Sequence, residues 1–213
     1  MHTVKLLVVA MAVSMLMPVA AQDVRQLFNG RDLEGWEHAG FGGFEVEEGL
    51  LKPHGGIGIL WYAGGKIGNS RLHVVYKVDS NEDNSGVFVR IPESPEDPWM
   101  AVEKGLEIQI NGAGKSPYHR TGAVYTFSRA VAEPGVPGEW NVMDILLDGK
   151  TTEVRINGEF VSRYVDGDEI PARHSKWDPA PGPRPVNGYI GLQNHPQGAN
   201  VYFREVSLLP LGE

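Results

Sequence analysis

The sequence predicts an all-β protein built as a two-sheet jelly-roll sandwich. Three observations carry that reading. Short runs alternate apolar and polar residues with period two. Asp148-Gly149 and Asn157-Gly158 fall between such runs, where hairpins turn. The 213 residues include 27 Gly and 15 Pro, and no window offers three clean turns of helical period. About a dozen short strands in one chain of this length imply two packed sheets.

Taken in chain order, short apolar runs at Phe44–Val46, Leu50–Lys52 and Ile59–Tyr62 open the pattern. Ser70–Val78 then places Leu72, Val74, Tyr76 and Val78 on one side and Arg71, His73, Val75 and Lys77 on the other. In Ser85–Ile91, Val87, Val89 and Ile91 oppose Phe88 and Arg90. In Leu106–Asn111, Leu106, Ile108 and Ile110 oppose Glu107, Gln109 and Asn111. Further strands are expected at Ala123–Phe127, Val142–Leu147, Glu153–Ile156, Phe160–Tyr164, Tyr189–Gln193 and Val201–Leu209. Two long connections, Pro92–Lys104 and the Pro-rich Val165–Asn187, are long enough to form functional rims. The second is expected to fold over one end of the binding face and to bring Trp177 to the substrate. Trp36 and Trp140 are expected in the core. Asp79–Asn84 is an oxygen-rich stretch that reads as a hairpin turn, since it lacks the spacing of a calcium loop.

The first residues read as a processing segment. A basic start ending at Lys5, the apolar run Leu6–Met17 and the small residues of Pro18-Val19-Ala20-Ala21 form a secretory signal peptide, with cleavage expected after Ala21. The folded domain is then residues 22–213, and the mature protein is expected to be secreted or periplasmic. No later stretch is long and apolar enough for a transmembrane helix. The absence of cysteine excludes disulfides, thiolate metal sites and a cysteine nucleophile. A net charge of −8 argues against nucleic acid as a partner, because phosphate affinity is carried by Lys and Arg.

Glu107, Gln109 and Asn111 are the most informative residues. The apolar side of their strand must face the core, so a carboxylate and two amides stand in a row on the other surface. Such a row suits the hydroxyls of a sugar, and an ordinary wetted sheet face is the competing reading. Arg90 would add a charged donor to that surface. Sugar rings also need aromatic faces, for which Trp61, Tyr62, Trp99, Tyr118, Tyr125 and Trp177 are candidates. His119, in a polar loop, and His195, just past Gln193 at a strand end, are candidate acids, bases or metal ligands. No ligand spacing marks a metal site.

Several segments together resemble the 3-keto-disaccharide hydrolase domain family. They are Leu27-Phe28-Asn29-Gly30-Arg31-Asp32-Leu33-Glu34-Gly35-Trp36, Asn84-Ser85-Gly86-Val87-Phe88-Val89-Arg90, Gly105-Leu106-Glu107-Ile108-Gln109-Ile110-Asn111, Thr121-Gly122-Ala123-Val124-Tyr125, Gly138-Glu139-Trp140-Asn141, Ile156-Asn157-Gly158 and Gly188-Tyr189-Ile190-Gly191-Leu192-Gln193. Their order and spacing match across nearly the whole mature chain. The resemblance implies a concanavalin A-like jelly roll with a concave sugar-binding sheet. It also implies an exported bacterial protein acting on glycosides whose C3 hydroxyl has been oxidised to a ketone.

Glucanases of similar fold carry further carboxylates where this strand has Gln109 and Asn111, and amides cannot serve as nucleophile or acid. Retaining hydrolysis by two carboxyl groups about 5 Å apart is therefore disfavoured. A 3-ketone acidifies the C2 proton, so one base can start a β-elimination of the C1 substituent, with water adding afterwards. Glu107 or His119 is the expected base, and Arg90 or a bound cation the enolate stabiliser. Gln109, Asn111, Trp177 and Gln193 are expected to bind substrate, and Tyr125 or His195 to protonate the leaving group. His119, His195 and Glu107 would hold a divalent cation if the fold brought them together. A non-catalytic carbohydrate-binding module and a surface scaffold are the alternatives to an enzyme.

Overall fold

The computed structural model describes residues 23–195 and 200–212. The signal-peptide reading falls on residues 1–21, outside the described part. The strands are β1 (Arg25–Gln26), β2 (Trp36–Gly40), β3 (Gly43–Glu47), β4 (Leu50–His54), β5 (Gly58–Tyr62), β6 (Ser70–Val78) and β7 (Asn84–Ile91). After the helix α1 (Pro98–Lys104) come β8 (Leu106–Asn111), β9 (Asn141–Asp148), β10 (Thr151–Ile156), β11 (Glu159–Val165), β12 (Tyr189–Asn194) and β13 (Val201–Pro210). One sheet runs β11-β10-β9-β6-β13-β4-β3, with β1 also paired to β13, and the other runs β2-β5-β12-β7-β8. The strand pairs are antiparallel. The chain is thus the all-β sandwich that the alternation predicts.

The inner faces meet as the period-two pattern requires. Leu72, Val74 and Tyr76 of β6 pack with Val87, Val89, Ile108, Ile110 and Leu192 of the opposite sheet in one continuous core. Trp36 joins it, donating its indole N–H to the Leu27 carbonyl at 2.8 Å. Trp140 does not. It lies half-buried between the Lys77 ammonium and the Arg204 guanidinium, 5.6 and 4.6 Å from its ring centre. An indole over which two cations stack needs no apolar pocket.

The outer face of the five-stranded sheet is divided. On one half a smaller cluster of Ala39, Ile59, Trp61, Phe88 and Ile91 is closed by Ala101 of α1. That helix has only 7 residues, too few for a periodic signal. It forms because Asp97 caps it, accepting from the N–H groups of Trp99 and Met100 at 2.8 and 3.1 Å, and because Pro98 occupies its first turn. The other half of the face stays open.

Ala123–Phe127 is not a strand. It is a turn laid along the edge of β8: Tyr125 N–H donates to the Glu107 carbonyl at 2.8 Å and Gln109 N–H to the Ala123 carbonyl at 3.0 Å. Thr126 at φ 60° breaks any extended run there. The turn covers an otherwise exposed edge and fixes Tyr125 beside Glu107.

Candidate active site

The open half of the outer face carries the predicted row. On β8, Glu107, Gln109 and Asn111 point away from the core, and the register sets them opposite Phe88, Gly86 and Asn84 of β7. Gln193 of β12, and His195 just beyond that strand, complete the floor. A cavity of about 680 Å³ lies over it, lined by Asn84, Phe88, Glu107, Gln109, Tyr125, Gln193 and His195 together with Pro98, Trp99 and Val102 of α1, Ile57, and Trp177.

Glu107 is the centre of this cavity. Its carboxyl group reaches over Gly86, where a Cβ would lie 2.4 Å from Oε1, so only glycine leaves room for it. It is only 7% exposed. Burial pushes its pKa up to about 8, because removing a carboxylate from water disfavours the charged form, and the Gln193 amide offsets this only in part by hydrogen bonding. The carboxyl group is therefore mostly protonated at neutral pH, and the fraction present as the basic carboxylate grows as the pH approaches 8. The wetted-surface alternative for this row fails at Glu107. Tyr125, held beside it, has its pKa pushed up to about 12 by burial and then by the charges of Glu107 and Asp178. It remains a hydroxyl donor across the physiological range. Burial lowers the pKa of His195, so its imidazole is neutral. Three buried polar atoms on the cavity wall, Asn84 Oδ1, Gln193 Oε1 and His195 Nδ1, have no hydrogen-bond partner among the described residues. Unspent polar atoms around a buried carboxyl are what a polar ligand would satisfy.

Val165–Asn187 forms a rim, as its length suggests. Arg184 donates to the carbonyls of Gly105, Glu103, Ala180 and Gly182 at 2.8–3.1 Å, and Arg173 pairs with Glu103 at 2.8 Å, so the rim is tied to α1. It brings Trp177 against Trp99, ring centres 4.7 Å apart, and both remain partly exposed at 50% and 39%. Arg184 pins the rim, while Trp177 both stacks on Trp99 and lines the cavity.

Arg90 is a correction. It is 3% exposed, and its guanidinium donates to Thr152 Oγ1 and to the carbonyls of Pro185, Gly149 and Thr151 at 2.8–3.2 Å. A bulge explains the reversal. At Arg90 φ is +58°, and the β7–β12 register shifts between Tyr189 and Gly191. The extra residue moves Arg90 to the β9–β10 hairpin on the inner side and returns Ile91 to the outer face. Arg90 is therefore unavailable to an enolate.

His119 is brought near Tyr125, ring centres 5.2 Å apart, and its Nδ1 meets Ser116 Oγ at 3.0 Å. It lines a second basin of about 900 Å³, together with Asn111, and does not line the basin of Glu107 and His195. The three expected cation ligands thus do not converge, and no group of three His, Asp or Glu suited to a metal occurs among the described residues. Asn84 and Phe88 are site residues that the sequence reading missed. The first ends the stretch that reads as a hairpin turn, yet it is the opening residue of β7 and lies opposite Asn111. Asp83 beside it is spent in that turn, accepting from the Ser80 and Asn200 N–H groups at 2.7 and 3.0 Å.

Residues 23–209 match the 3-keto-alpha-glucoside-1,2-lyase-like domain, and the chain belongs to that family. A candidate glycosyl hydrolase from Parabacteroides distasonis has a similar structure at 26% identity, with 89% of this chain and 100% of that one covered and a TM-score of 0.72. A second from the same organism matches at 23% identity over 89% and 94% of the two chains, also with a TM-score of 0.72. A Bacillus subtilis protein of galectin-like fold matches at 12% identity over 88% and 94%, with a TM-score of 0.62. No curated protein sequence is similar to the chain. The family and the first of these structures give the chain a carbohydrate-related function. No helix among the described residues is long and apolar enough to cross a membrane.

Proposed function

We propose that the protein is an exported enzyme that cleaves the C1–O bond of 3-keto-glycosides by proton abstraction at C2 and β-elimination. One observation carries the reading: a single buried carboxyl, Glu107, with its pKa raised to about 8, faces a cavity whose other polar groups are amides, an imidazole and a phenol. Two-carboxylate hydrolysis lacks its second partner among the residues lining that cavity.

Ionised Glu107 takes the C2 proton. The C2–H electron pair becomes the C2–C3 double bond of an enolate, whose negative charge rests on the former ketone oxygen. A ring N–H of the neutral His195 and the Nε2–H of Gln193 supply the hydrogen bonds to that oxygen, in the place that Arg90 does not fill. The enolate re-forms the ketone, C1–C2 becomes the double bond, and the C1–O bond breaks. The leaving oxygen takes a proton from the Tyr125 hydroxyl. Water added across the new double bond converts elimination into net hydrolysis.

Incubating the mature protein with 3-keto-trehalose and following free glucose tests the activity. In D₂O the hydrated product gains deuterium at C2, which direct displacement at C1 would not introduce. Binding without turnover would make the protein a carbohydrate-binding module, and neither would make it a scaffold. Export is tested by N-terminal sequencing of the protein from its host, with Gln22 expected first.

A further inference from the structure

The second basin adjoins the first and shares Asn84, Gln109 and Tyr125 with it. Each basin, about 680 and 900 Å³, already falls within the ~300–1,000 Å³ of a complete small-molecule site. The second basin therefore extends the site beyond the ring that Glu107 would hold. Their chemistry differs as well. The first has apolar walls of Phe88, Pro98, Val102, Trp99 and Trp177. The second is lined by hydrogen-bonding side chains, among them Lys115, Tyr118, His119, His174, Ser175 and Asp178.

Some of those groups are already committed. Asp178 accepts from the His174 and Ser175 N–H groups and from Ser175 Oγ, and His119 uses Nδ1 on Ser116. The side chains of Lys115, Tyr118 and His174 make no hydrogen bond or ion pair among the described residues. They line the basin with an ammonium, a phenol and an imidazole, Lys115 and His174 from exposed positions, and the Tyr118 ring offers a stacking surface. Hydroxyl-rich rings use that combination.

We propose that the substrate is an oligosaccharide longer than two units. Its oxidised terminal ring lies over Glu107, the bond to be broken lies at Tyr125, and the rest of the chain runs through the second basin past Tyr118 and His174. This rests on the function proposed above, since Glu107 sets which ring is oxidised. The enzyme then releases one terminal unit and a shortened chain at each turnover.

The test is a series of di-, tri- and tetrasaccharides of one linkage, each oxidised at C3 of the non-reducing ring. kcat/KM rises about tenfold or more from the disaccharide to the trisaccharide, chiefly through KM. In the Tyr118→Ala/His174→Ala variant that ratio falls to about twofold or less. A flat or falling dependence on length in the unaltered protein overturns the proposal, as does an unchanged ratio in the variant. Calorimetric binding of the same series to Glu107→Gln separates the two readings. Affinity that grows with length, with no cleavage of any substrate by the unaltered protein, keeps the subsites and removes the elimination chemistry. Affinity independent of length removes the subsites.

Discussion

Arg90 and Glu107 sit on neighbouring strands, and both are almost entirely removed from water, at 3% and 7% exposure. Their surroundings are opposite. Arg90 is met by four acceptors, and burial lowers its pKa without depriving it of charge at any ordinary pH. It ties the bulge of β7 to the β9–β10 hairpin and to the Pro185 end of the rim. Glu107 lies in a cavity where neighbouring polar atoms are unspent and its carboxyl group is forced toward the neutral form. A buried charge with full satisfaction is structure, whereas one held short of it is a reagent. The comparison also locates the cost: the fold tolerates an ill-solvated carboxyl at Glu107 because the rest of the two sheets is well packed.

The largest expected effect is on turnover. Glu107→Gln keeps shape and removes basicity, and should lower kcat on a 3-keto-glycoside by about 10²–10⁴-fold while the protein stays folded. Near-normal turnover would take Glu107 out of the chemistry and turn attention to His119. In the unaltered protein, kcat/KM should climb roughly tenfold per pH unit and level off near pH 8, where the free carboxyl ionises. A rate that instead falls through pH 8 would make Glu107 the acid.

Gly86→Ala approaches the same group from the other strand. Its Cβ would meet the Glu107 side chain, at 2.4 Å from Oε1, and displace it. A misplacement on the order of 1 Å is worth up to about 10²-fold in rate. Loss of activity with an intact thermal transition is expected, and full activity would show that the carboxyl need not lie over Gly86.

Arg90→Met tests the opposite pole. It leaves buried carbonyls without their donor and should destabilise the fold by at least ~2 kcal/mol in urea unfolding. Activity per folded molecule should be preserved, since Arg90 does not line the cavity. A stable but inactive variant would restore Arg90 to the site.

The remaining effect is the pH dependence of stability. The folded pKa of Glu107 is raised from the ordinary 4.5 to about 8, so the unfolded chain releases this proton first as pH rises. Stability is therefore lost between about pH 4.5 and 8 and levels off above that. Glu107→Gln removes this loss, so its Tm should exceed that of the unaltered protein by roughly ten degrees or more at pH 8 and match it near pH 4, by scanning calorimetry.

What the sequence by itself determined is the set of strands and their inward faces, because period-two alternation answers directly to a sheet with one buried side. Ser70–Val78 and Leu106–Asn111 are strands over those very residues. The outward row of Glu107, Gln109 and Asn111 follows from the same parity. The family resemblance was equally legible in contiguous motifs. What only the tertiary structure decided lies where parity is broken or where distant segments meet. One residue with positive φ in β7 moved Arg90 to the inner side, and no pattern in SGVFVRI announces a bulge. A seven-residue helix stabilised by Asp97 and by its docking on Phe88 and Ile91 leaves no periodic trace. The raised pKa of Glu107 needs the Gly86 gap beneath it, the Tyr125 turn beside it, and a wall of α1 and the Trp177 rim around it. Those groups come from segments tens of residues apart, and desolvation is a property of the enclosure they form together, which no single stretch of the chain contains.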